Sequence, residues 1–164
     1  MTPPNLTLRA ATVEDLPSII DCWRGLVETH QALNGPLYAL SEQGGEAFEQ
    51  ATRRHLFDPR ALVQIAELDG RMAGYLIARE GLRPPWYVVR RVGMILDLFV
   101  SPQARRHGVG QALFESARVL FEARGIEWMQ VCHDPANASA SAFWSKAGFE
   151  PLLIEGYRKT SPGV

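Results

Sequence analysis

The segment 92-VGMILDLFVSPQARRHGVGQAL-113 constrains the fold more than any other part of the chain. Its first nine residues form the most β-prone run in the sequence and lead into Pro102. Leu113, Ala117, Leu120 and Phe121 then recur on one face of a helix predicted over 109–124, which Gly125 closes. Beyond it, 126-IEWMQVCH-133 reads as another strand. A strand, a helix and a strand in that order predict a parallel crossover.

The flanking segments surround this unit with antiparallel elements. Residues 6-LTLRAAT-12 alternate apolar and polar side chains and read as a short strand. Thr12, followed three residues on by Asp15, resembles a capping start for a helix over 13–29, whose apolar face is Leu16, Ile19, Ile20, Trp23, Leu26 and Val27. Residues 30–45 are expected to be irregular, with a second helix over 45–56. In 62-LVQIAELDGRMAGYLIARE-80, two alternating runs meet at Asp69-Gly70, a hairpin signature. Residues 81-GLRPPWYVV-89 interrupt the pattern as an excursion. A short helix over 137–147 ends at Gly148, and a last strand pair is expected around 149–160. The order β-α-α-β-β-β-α-β-α-β indicates an α/β domain with a mixed, mostly antiparallel sheet.

The chain has 164 residues, 46% hydrophobic and 21% charged, which suits one domain, expected to span 1–164, with a real core. A net charge of −1 gives no global reason to expect nucleic acid or a membrane surface as partner. Cys22 and Cys132 have neither metal-ligand nor disulfide-framework spacing, so no metal is expected and a reducing compartment fits. The start MTPPNLTLRAAT lacks signal-peptide order, and the expectation is a cytoplasmic protein.

Chemistry concentrates where the central strand becomes a helix. The helix starting near Val109 presents unpaired N–H groups and the positive end of its dipole. Gly108 and Gly110 lack Cβ atoms, so phosphate oxygens can approach the backbone closely, and Arg105, Arg106 and His107 add charge. The alternative is a glycine-rich turn with solvated arginines. A dinucleotide fingerprint fails at Leu113, where a third small residue belongs, and Glu127 lies at the wrong end of its strand. No Gly-Lys-Ser/Thr follows, which excludes a P-loop.

Arg105-x-x-Gly108-x-Gly110 resembles the acetyl-coenzyme A signature of the GNAT family of N-acetyltransferases, Gln/Arg-x-x-Gly-x-Gly/Ala after a strand. The stretch 137-NASASAFWSKAGF-149 is similar to a second family pattern at Asn137, Ala140, Phe143, Gly148 and Phe149. The resemblance implies a GNAT fold and acetyl transfer from acetyl-coenzyme A, as cosubstrate, to a primary amine of a small molecule or peptide. By the same resemblance, Leu98, Phe99 and Val100 pair with the pantetheine arm, and the Phe99 or Val100 N–H serves as oxyanion donor. Arg105, Arg106, His107, Gly108, Val109, Gly110 and Gln111 hold the pyrophosphate. Asn137, Phe143 and Trp144 contact the cofactor, with a plain N-cap as the alternative for Asn137 and core packing for Trp144. Many relatives have Tyr where Trp144 stands, placed to protonate the leaving thiolate, and an indole cannot do this. Asp97 is the leading candidate base and His133 the second. His30, Tyr38, Trp86 and Tyr87 are candidate substrate contacts, with packing at a dimer contact as the alternative for Trp86 and Tyr87. The resemblance also implies a homodimer. The competing readings are a non-catalytic acyl-coenzyme A-binding module of the same fold, and an enzyme using another acyl donor or acylating protein side chains.

Overall fold

The computed structural model describes residues 5–160. Five strands run in the order β1 (Leu6–Ala10), β2 (Ala61–Leu68), β3 (Arg71–Leu82), β4 (Arg91–Val100) and β5 (Met129–Val131) across one sheet. The first three pairings are antiparallel, and β4 with β5 is parallel, as a crossover through a helix requires. The helices are α1 (Leu16–Tyr38), α2 (Gly44–Phe57), α3 (Val109–Ala123) and α4 (Ala138–Lys146). This is the GNAT fold, of α/β class.

The alternating strands give the sheet two apolar faces, and each helix layer covers one. Ile19, Cys22, Trp23 and Leu26 of α1, with Phe48 and Leu56 of α2, pack on Val63, Ile65, Tyr75, Ile77 and Phe99. On the other face, Val109, Leu113, Phe114, Ala117 and Phe121 of α3 meet Leu76, Ala78 and Ile95. Gly93 is demanded there, because a Cβ at that position would enter the Phe121 ring.

Several predicted elements stand as read. Asp69 and Gly70 both take positive φ, 52° and 75°, in the tight β2–β3 turn. At the start of α1 the Thr12 N–H donates to the Asp15 carboxylate at 2.8 Å, although a single 3-10 turn (Val13–Asp15) comes before the helix.

Three expectations change. The first helix does not stop at 29 but continues to Tyr38, broken at Asn34 (φ −151°, ψ 82°) ahead of Gly35-Pro36. Pro restricts the residues before it, so the chain turns there and starts a further helical turn. The strand read over 126–133 pairs only at Met129–Val131. No strand forms over 149–160, and Leu152, Leu153 and Ile154 lie 85–99% exposed. Pro151 cannot donate to a ladder, Gly156 interrupts the run, and the three-residue β5 offers little edge to join.

Candidate active site

The site is organised by one irregularity in β4. Ile77 of β3 pairs with Asp97 while the next residue, Ala78, pairs with Ile95, so Leu96 is an extra residue, a β-bulge. Because side chains alternate with period 2, the extra residue reverses which face each later side chain takes. Ile95 therefore packs under α3, whereas Asp97 and Phe99 turn to the α1 side.

The bulge also redirects the backbone. The Ser101 N–H donates to Ala73 C=O at 2.8 Å, so Ser101 and, two residues back, Phe99 turn their amides toward β3. The amides of Leu98 and Val100 then point to the opposite side, toward β5. Pairing with β5 ends at Ile95–Val131, so β4 and β5 splay apart and leave those groups in an open cleft. Unpaired strand edges of this kind accept an extended partner as an added strand. Of the two oxyanion donors expected from the sequence, Val100 faces the cleft, and Phe99 is corrected because its N–H is turned into the β3 ladder.

At the end of the cleft, the chain turns through a 3-10 turn (Pro102–Ala104) into α3. Arg106 has φ +65° and Gly108 φ +78°, so the loop curls into a concave run of amides. A side chain other than glycine rarely takes such a φ, and strain of this kind collects at ligand-binding loops. The first bond within α3 is from the Ala112 N–H to Gly108 C=O at 2.9 Å, which leaves the N–H groups of Val109, Gly110 and Gln111 without an intrahelical acceptor. A Cβ on Gly108 would meet nothing, so the backbone there is open to an oncoming phosphate. Arg105, Arg106 and His107 are exposed around it. Val109 itself is buried as the first anchor of α3.

Asp97 is half-buried on the α1 face of β4, on the same face as Tyr75 and Phe99. Gly25 lets the helix come close, since a Cβ there would stand 3.0 Å from Phe99 Cζ. Burial pushes the Asp97 carboxyl up to about 6, which suits a base working near neutrality. Tyr75, with no exposed surface, lies on the same face of β3, opposite Phe99, and its hydroxyl has no hydrogen-bond partner among the described residues. Sequence reasoning missed Tyr75 and Gly25. The only signal for Tyr75 was a phenol at an apolar position of β3.

The break in α1 brings the predicted acceptor residues to the mouth. Gln31 Nε2 donates to Tyr38 C=O at 3.1 Å, and the Tyr38 ring stacks on His30 at 4.9 Å. The Tyr38 hydroxyl in turn donates to the Asp134 carboxylate, 3.3 Å away on the β5–α4 loop. Burial, with the nearby Asp134 charge second, raises the Tyr38 phenol above its ordinary value. Trp23, Val27, His30, Leu37, Tyr38 and Leu40 line a cavity of about 300 Å³. Sequence reasoning gave Asp134 no role. His133 is exposed, with its Nδ1 3.2 Å from Asp134 C=O and 3.5 Å from Ser141 Oγ.

Asn137 is the N-cap of α4, accepting from the Ala140 N–H at 3.0 Å. Phe143 leans over the start of α3, 3.4 Å from where a Gly110 Cβ would stand. Trp144, edge-on to Phe143 with ring centroids 4.8 Å apart, is 6% exposed and also meets Phe114 and Phe149 in the core. Its expected contact with the cofactor is therefore corrected to core packing. Trp86 and Tyr87 lie on the loop joining β3 to β4, at the end of β4 remote from Asp97. Six residues of strand, about 20 Å, separate Arg91 from Asp97, so this pair is not brought to the site. Among the described residues no cluster of three His, Cys, Asp or Glu side chains could hold a metal.

Comparison with known proteins agrees with this geometry. A model of the acetyltransferase (GNAT) family matches residues 26–149. A mycothiol acetyltransferase of Beutenbergia cavernae is 32% identical over 127 residues, covering 75% of this chain and 41% of that protein. The chain thus spans less than half the length of that relative. A mutant of the BH1408 protein from Bacillus halodurans superposes with a TM-score of 0.82 at 19% identity, over 94% of this chain and 99% of the other. A protein described as a predicted acetyltransferase from Clostridium acetobutylicum, solved with acetyl-CoA, gives 0.71 at 15% identity, over 93% and 96%.

Proposed function

This chain belongs to the acetyltransferase (GNAT) family, and we propose that it moves the acetyl group of acetyl-coenzyme A to the primary amine of a small molecule. The observation that carries the reading is the bulge at Leu96, which gives β4 a carboxylate on one face and free amides along an open edge. The mycothiol acetyltransferase relative supports a small-molecule acceptor, and the cavity beside His30 and Tyr38 offers a place for one.

Acetyl-coenzyme A supplies the acetyl group as a thioester. The amides of the 105–111 loop and of α3 hold its pyrophosphate, with Arg105 and Arg106 adding charge, and Leu98 and Val100 line up the arm. Asn137, already capping α4, keeps its amide nitrogen free for the cofactor side, and Phe143 borders the same cleft. The Val100 N–H supports the carbonyl oxygen as charge develops on it. The neutral amine attacks the carbonyl carbon, so that a C–N bond forms, the C–S bond breaks, and Asp97 accepts the proton released by nitrogen. His133, exposed beyond β5, is the weaker base on position. With Trp144 in the core, the thiolate takes its proton from water.

Free Cys22 and Cys132 support a reducing, cytoplasmic setting. The exposed Leu152-Leu153-Ile154 run supports a homodimer. A thiol-release assay over a panel of primary amines tests the reaction. Free thiol from at least one amine is expected, and tight cofactor binding with no thiol from any amine overturns the reading in favour of a non-catalytic binding module.

A further inference from the structure

The α1 face of the sheet carries two polar groups, Tyr75 and Asp97, as near neighbours. Tyr75 is fully buried, and its hydroxyl finds no acceptor or donor among the described residues. Leaving such a group unmade costs about 1–3 kcal/mol. A phenylalanine would fill the same volume without that cost, so the hydroxyl needs a reason to be there. Tyr75 pairs with Phe99 across β3 and β4, and Asp97 pairs with Ile77, which makes Tyr75 and Asp97 diagonal neighbours on one face. The Asp97 charge and the Cys22 thiol both act on the Tyr75 phenol and, after burial, raise it further. Both side chains lie on the face that α1 covers, opposite the one under α3.

We propose that Tyr75 is a positioning residue for Asp97, its hydroxyl donating through one bound water to the Asp97 carboxylate. The Cys22 thiol on α1 closes the third side of that water, which gives it the two to four polar partners a buried water needs. The bridge fixes the carboxylate toward the mouth of the cleft and favours its ionised form. The other titratable groups on the packed elements face elsewhere. Asp21, Arg24 and Glu28 of α1 are exposed, and His30 lines the cavity against Tyr38. Arg79 of β3 acts on His55 and Asp58 at the far end of α2.

This inference rests on the proposed role of Asp97 as base, and the test separates the two. The experiment records the pH dependence of kcat/KM and, independently, the titration of the Asp97 side-chain carboxyl by carbon NMR. Wild type and Tyr75→Phe are compared, with Asp97→Asn assigning the signal. The expected result is that Tyr75→Phe moves both the acidic limb and the carboxyl titration up by about one unit. Turnover below pH 6 then falls roughly 10-fold, with KM for acetyl-coenzyme A unchanged. Placing 3-fluorotyrosine at position 75, a stronger donor of the same shape, shifts both the other way and covers the case in which the phenylalanine variant folds poorly. An unchanged carboxyl titration in both variants overturns the coupling, whatever the rates do. A moved carboxyl titration with an acidic limb that persists in Asp97→Asn keeps the coupling and removes Asp97 as base.

Discussion

At Gly108 the backbone combines φ +78° with open space at the Cβ position, so a side chain there is both strained and aimed into the proposed pyrophosphate site. Gly108→Glu places a carboxylate in that space, and calorimetric titration with coenzyme A is expected to show binding lost while the melting curve moves little. Gly25 controls the other wall. Gly25→Ala puts a methyl 3.0 Å from Phe99 Cζ, so either the ring or α1 must give way. Turnover is expected to fall several-fold with cofactor affinity kept, and an alanine variant of full activity would show that this contact is slack. Asp97 is tested most directly by its pH profile. With a carboxyl pushed up to about 6 by burial, kcat/KM in the wild type falls as the pH drops through 6, and Asp97→Asn loses that limb together with most of the rate.

Among the elements, β4 decides the chemistry. Deleting Leu96 removes the extra residue and leaves Ile95 opposite Ala78 and Asp97 opposite Ile77 in an unbroken ladder, with Asp97 still on the α1 face. The fold is expected to survive that deletion in denaturant unfolding, with turnover reduced because the straightened strand re-aims the amides of Leu98 and Val100; full turnover would show that the bulge is dispensable. The start of α4 makes a gentler test. Asn137→Ala removes the bond to the Ala140 N–H and is expected to cost about 1 kcal/mol in denaturant unfolding. A drop in coenzyme A affinity beyond that loss would support a second role for the side chain. Both sequence motifs, the loop before α3 and the start of α4, were legible at this scale because turn chemistry and caps are written locally. The bulge was not. A strand of β-prone residues looks the same with or without one extra member, and only pairing with β3 reveals it.

For the molecule as a whole, two carboxyls pull stability in opposite directions with pH. Asp15, held by Arg9 at 2.7 Å, lies at about 2 and stabilises the fold above pH 4, with the gain fading as the pH falls toward 2. Asp97 is raised, so the folded state binds more protons than the unfolded one between pH 4 and 6, and stability falls as the pH rises across that window. Asp97→Asn is therefore expected to melt higher than wild type at pH 7.5, by at most about 3 kcal/mol of stability, and to match it near pH 4. Equal melting at both values would show that the carboxyl is solvated in the apo protein. In sedimentation, the homodimer supported by the exposed 152–154 run is expected to persist, and Leu153→Asp to reduce it to monomer.

The sequence by itself determined the element order from β1 to α4, the crossover, the hairpin at Asp69-Gly70 and the glycine-containing turn into α3. Each depends on residues within a turn or two of one another, through periodicity, capping or positive φ. Tertiary structure alone decided that Asp97 faces α1 and that the Leu98 and Val100 amides lie open. It also decided that Trp144 is core, that Trp86 and Tyr87 stand at the wrong end of the sheet, and that Tyr38 reaches Asp134. Each of these turns on the register between strands far apart in the chain, or on the break at Asn34 that swings Tyr38 across. Register is set by packing both faces of the sheet at once, so no local pattern carries it.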